Sequence, residues 1–211
     1  MANPMRIGID LDNTIVGYDR LFRDIAAAKG WLPERFEGSK KQLRDQLRLL
    51  PDGESKWMWL QAEAYGPRMR EADLIEGVDA FLRHCRNAAI PVSIISHKTR
   101  FAAADPDGTD LRQAALAWLE QKGVFAAEGC GVPRNRVFFE DTRAAKCRRI
   151  ASERCTHFID DLEEVFLDPS YPRHVAGYLF APSGCGKAAG PYRLHHHWSS
   201  MADDILASRA A

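Results

Sequence analysis

Five short apolar runs recur along the chain, at residues 6–10, 91–96, 136–140, 156–160 and 175–181. Unbroken apolar runs of this length, rather than alternating ones, suit strands covered on both faces. Between them lie segments with helical spacing. Val78, Phe81 and Leu82 line one face of a helix over 77–87, and Leu111, Ala115, Trp118 and Leu119 one over 110–122. Further helices are predicted over 142–153, capped by Asp141 or Thr142, and over 162–167. Strands that alternate with helices predict βαβ units, and hence an α/β, Rossmann-like, doubly wound parallel sheet. The Gly-, Pro- and His-rich stretch 182–198 carries little pattern, and residues 200–208 suit a closing helix.

One block breaks the alternation. Residues 19–76 contain no strand pattern. Leu21, Phe22 and Ile25 sit at helical spacing before Gly30, and Leu43, Leu47 and Leu50 repeat before Pro51-Asp52-Gly53. Trp57, Leu60 and Ala64 mark a third helix ending near Gly66-Pro67. The expected organisation is therefore a core of residues 1–18 and 77–211, interrupted by a small helical insertion over 19–76.

Chemistry-bearing residues stand at the strand ends. The first run leads into Asp10-Leu11-Asp12-Asn13-Thr14, the second ends at Ser96, and the fourth at Asp160-Asp161. Lys146 lies near the start of the helix after the third run, where Lys98 and Arg143 compete with it as the cation of a site. In a parallel sheet all strand C-termini share one edge, where ligands bind. Asp10, Asp12, Ser96, Lys146, Asp160 and Asp161 are thus expected to converge.

This ordered set resembles the haloacid dehalogenase-like (HAD-like) superfamily, over roughly residues 6–181. That family's motifs are a strand followed by DxD and Thr or Val, a strand ending in Ser or Thr, a Lys on a helix, and a strand ending in an acidic pair. The block 19–76 falls where the family places a helical cap. The resemblance implies a hydrolase of the phosphatase kind, working through an aspartyl-phosphate on Asp10. Asp12 would be its acid and base, Ser96 a donor to a phosphoryl oxygen, and Lys146 a fixed positive charge. The implied cofactor is Mg²⁺, a hard cation that prefers oxygen ligands. Asp10, the main-chain carbonyl of Asp12 and Asp160 would hold it, with Asp161 acting through a water or from farther out. Dehalogenases of the family lack an acid at the Asp12 position. A phosphomutase, a nucleotidase and a nucleic-acid end phosphatase remain open as alternatives. So does a non-catalytic protein that binds a phosphorylated ligand, whose signature would be the loss of Asp10, Asp12 or Lys146. Lys40, Lys41, Arg44, Arg68 and Arg70 are candidate specificity residues in the cap.

Composition narrows the partners. Lys+Arg and Asp+Glu both number 29, and that balance weighs against a dedicated nucleic-acid binder and favours a small phosphorylated substrate. The five cysteines contain no CxxC pair, which fits thiols in a reducing, cytoplasmic setting better than a disulfide framework or a zinc site. No segment reaches the apolar length of a membrane span. Three other signals are set aside. Ser183-Gly184-Cys185-Gly186-Lys187 lacks the first glycine and the Ser/Thr of a phosphate loop. His195-His196-His197 are adjacent and so do not point to one metal centre. Trp57 and Trp59 read as core before they read as a substrate platform. The oligomeric state has no sequence signature.

Overall fold

The computed structural model describes residues 4–33, 35–105, 108–182, 184 and 189–207. Ser183, Cys185, Gly186 and Lys187 of the glycine-containing segment lie outside these residues, as does Ser208 of the closing helix.

The chain begins with β1 (Ile7–Ile9) and β2 (Val16–Gly17), followed by α1 (Asp19–Ala28), α2 (Lys40–Leu47) and α3 (Gly53–Tyr65). Next come β3 (Asp73–Leu74), α4 (Val78–Asn87), β4 (Val92–His97) and α5 (Leu111–Gln121). Then β5 (Val137–Glu140), α6 (Arg143–Ser152), β6 (His157–Asp160) and α7 (Glu163–Phe166) alternate. The described chain closes with β7 (Ala176–Phe180), β8 (Tyr192–His195) and α8 (Trp198–Ala207).

Six strands form one sheet in the order β5-β4-β1-β6-β7-β8, and every pairing is parallel. This is the expected α/β, Rossmann-like arrangement. The chain lays β4 and β5 on one side of β1, then returns to lay β6, β7 and β8 on the other. The strand order therefore reverses between β1 and β6. A crevice at the carboxyl ends of strands is expected there, because the connections on either side diverge. The central strand is tightly enclosed. A Cβ on Gly8 would come within 2.6 Å of the Phe158 ring and 2.9 Å of Cys155 Sγ, so only glycine lets β6 lie this close.

Five of the six sheet strands coincide with the apolar runs. The sixth, β8, falls in the segment that showed little pattern. It is an edge strand in which Tyr192 alone is buried, and its sequence, Tyr-Arg-Leu-His, carries no apolar run. Beyond it, Trp198 starts α8 and donates its Nε1–H to the Thr14 carbonyl at 3.0 Å.

Contacts divide the described residues into two compact units. Unit 1 holds the sheet and comprises residues up to Ile15, Leu74–Lys98 and those from Gly123 on. Unit 2 comprises Val16–Asp73 and Thr99–Lys122. The second unit thus includes α5, which the sequence reading groups with the core. Trp118 explains this allegiance. Its indole is buried in unit 2 and donates to the Ala72 carbonyl at 3.0 Å, and α5 packs on the turn Met69–Glu71 and on α3. The rest of unit 2 is mostly helical, but the block read as strandless ends in the short strand β3, which pairs with β2. A reciprocal Ser39–Gln42 capping box starts α2. Tyr18, Phe22, Trp57 and Tyr65 form an aromatic cluster, with Phe22 and Trp57 5.4 Å apart, so Trp57 belongs to the core. Trp59 instead meets Trp31 edge-on, with the Lys29 ammonium 4.3 Å from its ring centre. No helix among the described residues is long and apolar enough to cross a membrane.

Candidate active site

The site is built from three strand ends and one helix of unit 1. Parallel register sets β1 beside β6 with Ile9 opposite Ile159, so Asp10 and Asp160 leave neighbouring strands side by side. The Asp10 N–H donates to the Ile159 carbonyl at 2.9 Å, which holds the two strand ends together. On the other flank Ile9 lies opposite Ile94, and β4 continues to Ser96, which is buried at the same edge. The third flank is α6. Its cap is Thr142, whose hydroxyl accepts the Ala145 N–H at 3.1 Å. That start places Lys146 one turn into the helix.

Lys146 is the centre of the charge cluster. Its side chain is only 2% exposed, and Nζ lies 2.5 Å from Asp10 Oδ1 and 2.7 Å from Asp160 Oδ2. The Phe158 ring lies beneath it, 5.5 Å from Nζ. Burial pulls the Lys146 pKa down, but the two carboxylates outweigh it and hold the amine charged, above the ordinary lysine range. Burial also pushes Asp10 up to about 7, with Asp160 and Asp12 adding and Lys146 opposing. Asp160 is raised as well, by burial, against the pull of Lys146. Two carboxylates and one ammonium thus share a site from which water is largely excluded.

The other two cations considered from sequence go elsewhere. Arg143 donates Nε–H to Asp168 at 2.8 Å. Lys98 is buried and donates to both oxygens of Asp12, at 2.9 and 3.1 Å. Sequence reasoning treated Lys98 only as a rival of Lys146. Its position two residues past Ser96, just beyond the strand next to β1, was the available signal.

The turn after β1 is shaped to keep these groups near one another. Asn13 adopts φ +59°, a left-handed conformation that asparagine tolerates better than most residues. Its Nδ2 donates to Asp161 Oδ2 at 3.2 Å, linking the first and last motifs. Thr14 is buried, and its hydroxyl has no hydrogen-bond partner among the described residues.

The donor set suits a hard divalent cation. Asp10, Asp160 and Asp161 each offer a carboxylate oxygen, and the three lie within 4.8 Å of one another. Asp160 Oδ1 accepts the Leu162 N–H at 3.0 Å. Its Oδ2 is buried and meets Lys146 as an ion pair without hydrogen-bond alignment, so it keeps acceptor capacity for a ligand. All the donors are oxygens, as Mg²⁺ requires. No other group of His, Cys, Asp and Glu with ligand spacing occurs among the described residues. The histidine run does not form one: His195 pairs with Asp204 at 3.1 Å, and His196 Nδ1 lies 2.6 Å from the Ala181 carbonyl. Of the cap cations, Lys40 bonds the Tyr65 hydroxyl, Arg44 pairs with Asp45 at 3.1 Å, and Arg68 with Glu71 at 2.5 Å.

No protein-family model matches the chain, and no curated protein matches it. Solved structures do match its fold. A HAD-family hydrolase from Deinococcus radiodurans R1, with bound phosphate and sodium, aligns at a TM-score of 0.58 and 14% identity, over 99% of this chain and 98% of its own. A HAD-superfamily hydrolase from Ehrlichia chaffeensis aligns at 0.55 and 11% identity, over 98% of both chains. An L-2-haloacid dehalogenase aligns at 0.55 and 13% identity, over 97% of this chain and all of its own at 100%. The fold is therefore the HAD-like one.

Proposed function

We propose that the chain is a hydrolase of the HAD kind, a Mg²⁺-dependent phosphomonoesterase that acts on a small phosphorylated metabolite through Asp10. The observation that carries this reading is the buried trio at the β1–β6 reversal: Asp10, its partner Lys146 and Asp160. Burying three charges at one strand edge is costly, and such clusters concentrate at functional sites.

In the first step Asp10 attacks phosphorus. A bond forms from its carboxylate oxygen to phosphorus, and the bond from phosphorus to the ester oxygen breaks. Asp12, two residues on, protonates the leaving oxygen. In the second step a water attacks the same phosphorus, Asp12 takes its proton, and Asp10 is released as a carboxylate together with inorganic phosphate. Lys146 keeps a positive charge against Asp10 throughout. Ser96 would donate its hydroxyl to a phosphoryl oxygen. Mg²⁺, when bound by Asp10, Asp160, the Asp12 carbonyl and, directly or through water, Asp161, offsets the repulsion between these carboxylates and an anionic substrate.

Unit 2 is proposed to select the substrate, as the cap role of its helices would require. The four described cysteines are buried thiols, which agrees with a cytoplasmic protein.

The test is a screen of sugar phosphates, nucleotides and amino-acid phosphates with added Mg²⁺, read as phosphate released. The dehalogenase among the structural neighbours supplies the second reading, so 2-haloacids are included, with halide as the readout. Phosphate release abolished by Asp10→Asn supports the proposal. Halide release without phosphate release would replace it.

A further inference from the structure

Lys98 is a second buried ammonium, and the mechanism above does not use it. Its side chain is 3% exposed, whereas that of its partner Asp12 is 22% exposed. The backbone around it is anchored, because the Lys98 N–H donates to the Glu140 carbonyl at 3.2 Å, just beyond the last β4–β5 register pair. From that anchor Nζ reaches across to β1's turn and bonds both Asp12 oxygens, at 2.9 and 3.1 Å. Bonds to both oxygens restrict rotation of the carboxylate about its Cβ–Cγ bond. An exposed aspartate on a turn would otherwise sample several rotamers, and proton transfer needs one of them.

We propose that Lys98 is a positioning residue that holds Asp12 as the proton donor to the leaving oxygen. The inference rests on the phosphohydrolase reading above. One Asp12 oxygen carries the proton to the ester oxygen as the phosphorus–oxygen bond breaks, and the other keeps its bond to Lys98. Lys98 itself touches neither phosphorus nor the leaving group. The two lysines thus have separate tasks: Lys146 serves the nucleophile and Lys98 the acid.

The task is readable in the leaving group. An ester whose alcohol leaves readily needs little protonation, while a poor leaving group depends on it. Wild type and Lys98→Met are compared by kcat/KM, which reports the step up to leaving-group departure, on p-nitrophenyl phosphate and benzyl phosphate with Mg²⁺. General acid catalysis contributes roughly 10²- to 10⁴-fold. The expected loss is therefore about 10²-fold or more on benzyl phosphate and less than about tenfold on p-nitrophenyl phosphate. Lys98→Arg should recover most of the benzyl phosphate activity. Adding Lys98→Met to Asp12→Asn should cost nothing further, since both remove the same function. If Lys98→Met does not fold, Lys98→Gln is read in the same way. Equal losses on the two esters, or a rise in KM with kcat unchanged, overturn the inference while wild-type turnover upholds the phosphatase reading. Wild-type protein that releases phosphate from neither ester overturns both.

Discussion

The strand ends of unit 1 and the helices of unit 2 treat charge in opposite ways. In unit 1 the ion pairs at the strand ends are buried: Lys146 with Asp10 and Asp160, and Lys98 with Asp12. In unit 2 the pairs lie in water. Arg20 bonds Asp73 at 2.8 Å with its side chain 48% exposed, and Arg48 with Glu54 and Arg68 with Glu71 are similarly open. Unit 2 buries aromatic rings instead. A surface pair needs little desolvation and gives little back, whereas a buried one loses hydration that only close partners replace. Stability alone would not require the arrangement in unit 1. The contrast therefore separates a region built for chemistry from one held together by packing.

Four measurements break or sharpen that contrast. The largest effect is expected from Asp10→Asn, which keeps the shape of the side chain but removes the proposed nucleophile. Turnover in the phosphate-release assay should fall by roughly 10⁴-fold or more while circular dichroism stays native. A well-folded, fully active variant would end the proposed mechanism.

Lys146→Met comes next. It leaves Asp10 and Asp160 buried with no cation between them, so it should cost about 3–5 kcal/mol of unfolding free energy in metal-free buffer. Urea denaturation at neutral pH reads this directly. A cost near that of a surface substitution would mean the cluster is wetter than its burial indicates.

Metal removal is third. EDTA should abolish turnover and Mg²⁺ restore it. With no substrate present, Mg²⁺ at about 100 times its Kd should add about 2.7 kcal/mol of stability, seen as a raised melting temperature. Asp160→Asn should abolish that rise. A melting temperature insensitive to Mg²⁺ in the wild type would show that the three carboxylates do not hold the ion.

The smallest effect is expected in unit 2. Arg20→Ala removes an exposed pair with Asp73 and should cost no more than about 1 kcal/mol, further reduced by salt. A loss as large as that of Lys146→Met would erase the distinction between the units.

Much of this was legible in advance, in an uneven way. Four of the five apolar runs form the inner strands β4, β1, β6 and β7, where both faces are covered, and the third run forms the edge strand β5, whose residues are half-buried. Strand β8 was not legible, because Tyr-Arg-Leu-His has one buried residue and no apolar run, whereas the other edge strand, β5, keeps Val-Phe-Phe. The apolar face of α5 announced a helix but not its partner. Trp118 could have packed on the sheet, and the Ala72 carbonyl that it meets lies 46 residues away. The cap of α6 was readable to within a position, since Thr142 acts on a donor three residues along the chain.

Five candidate residues were named from strand ends and Lys146 from a helix start; the structure brings Lys146, Asp10, Asp160 and Asp161 together, joins Asp12 to Lys98, and buries Ser96 at the same edge. The sequence by itself determined five of the six sheet strands and the helices between them, because periodicity and capping act over a few residues. It also determined that acidic residues end the first and fourth apolar runs. Only the tertiary structure decided which of Lys98, Arg143 and Lys146 meets Asp10. That choice depends on the parallel register of β1 with β4 and β6 and on where α6 begins, and it joins residues 136 positions apart. Local propensity is blind at that range, whereas Coulomb attraction in a buried site depends only on distance and the surrounding medium.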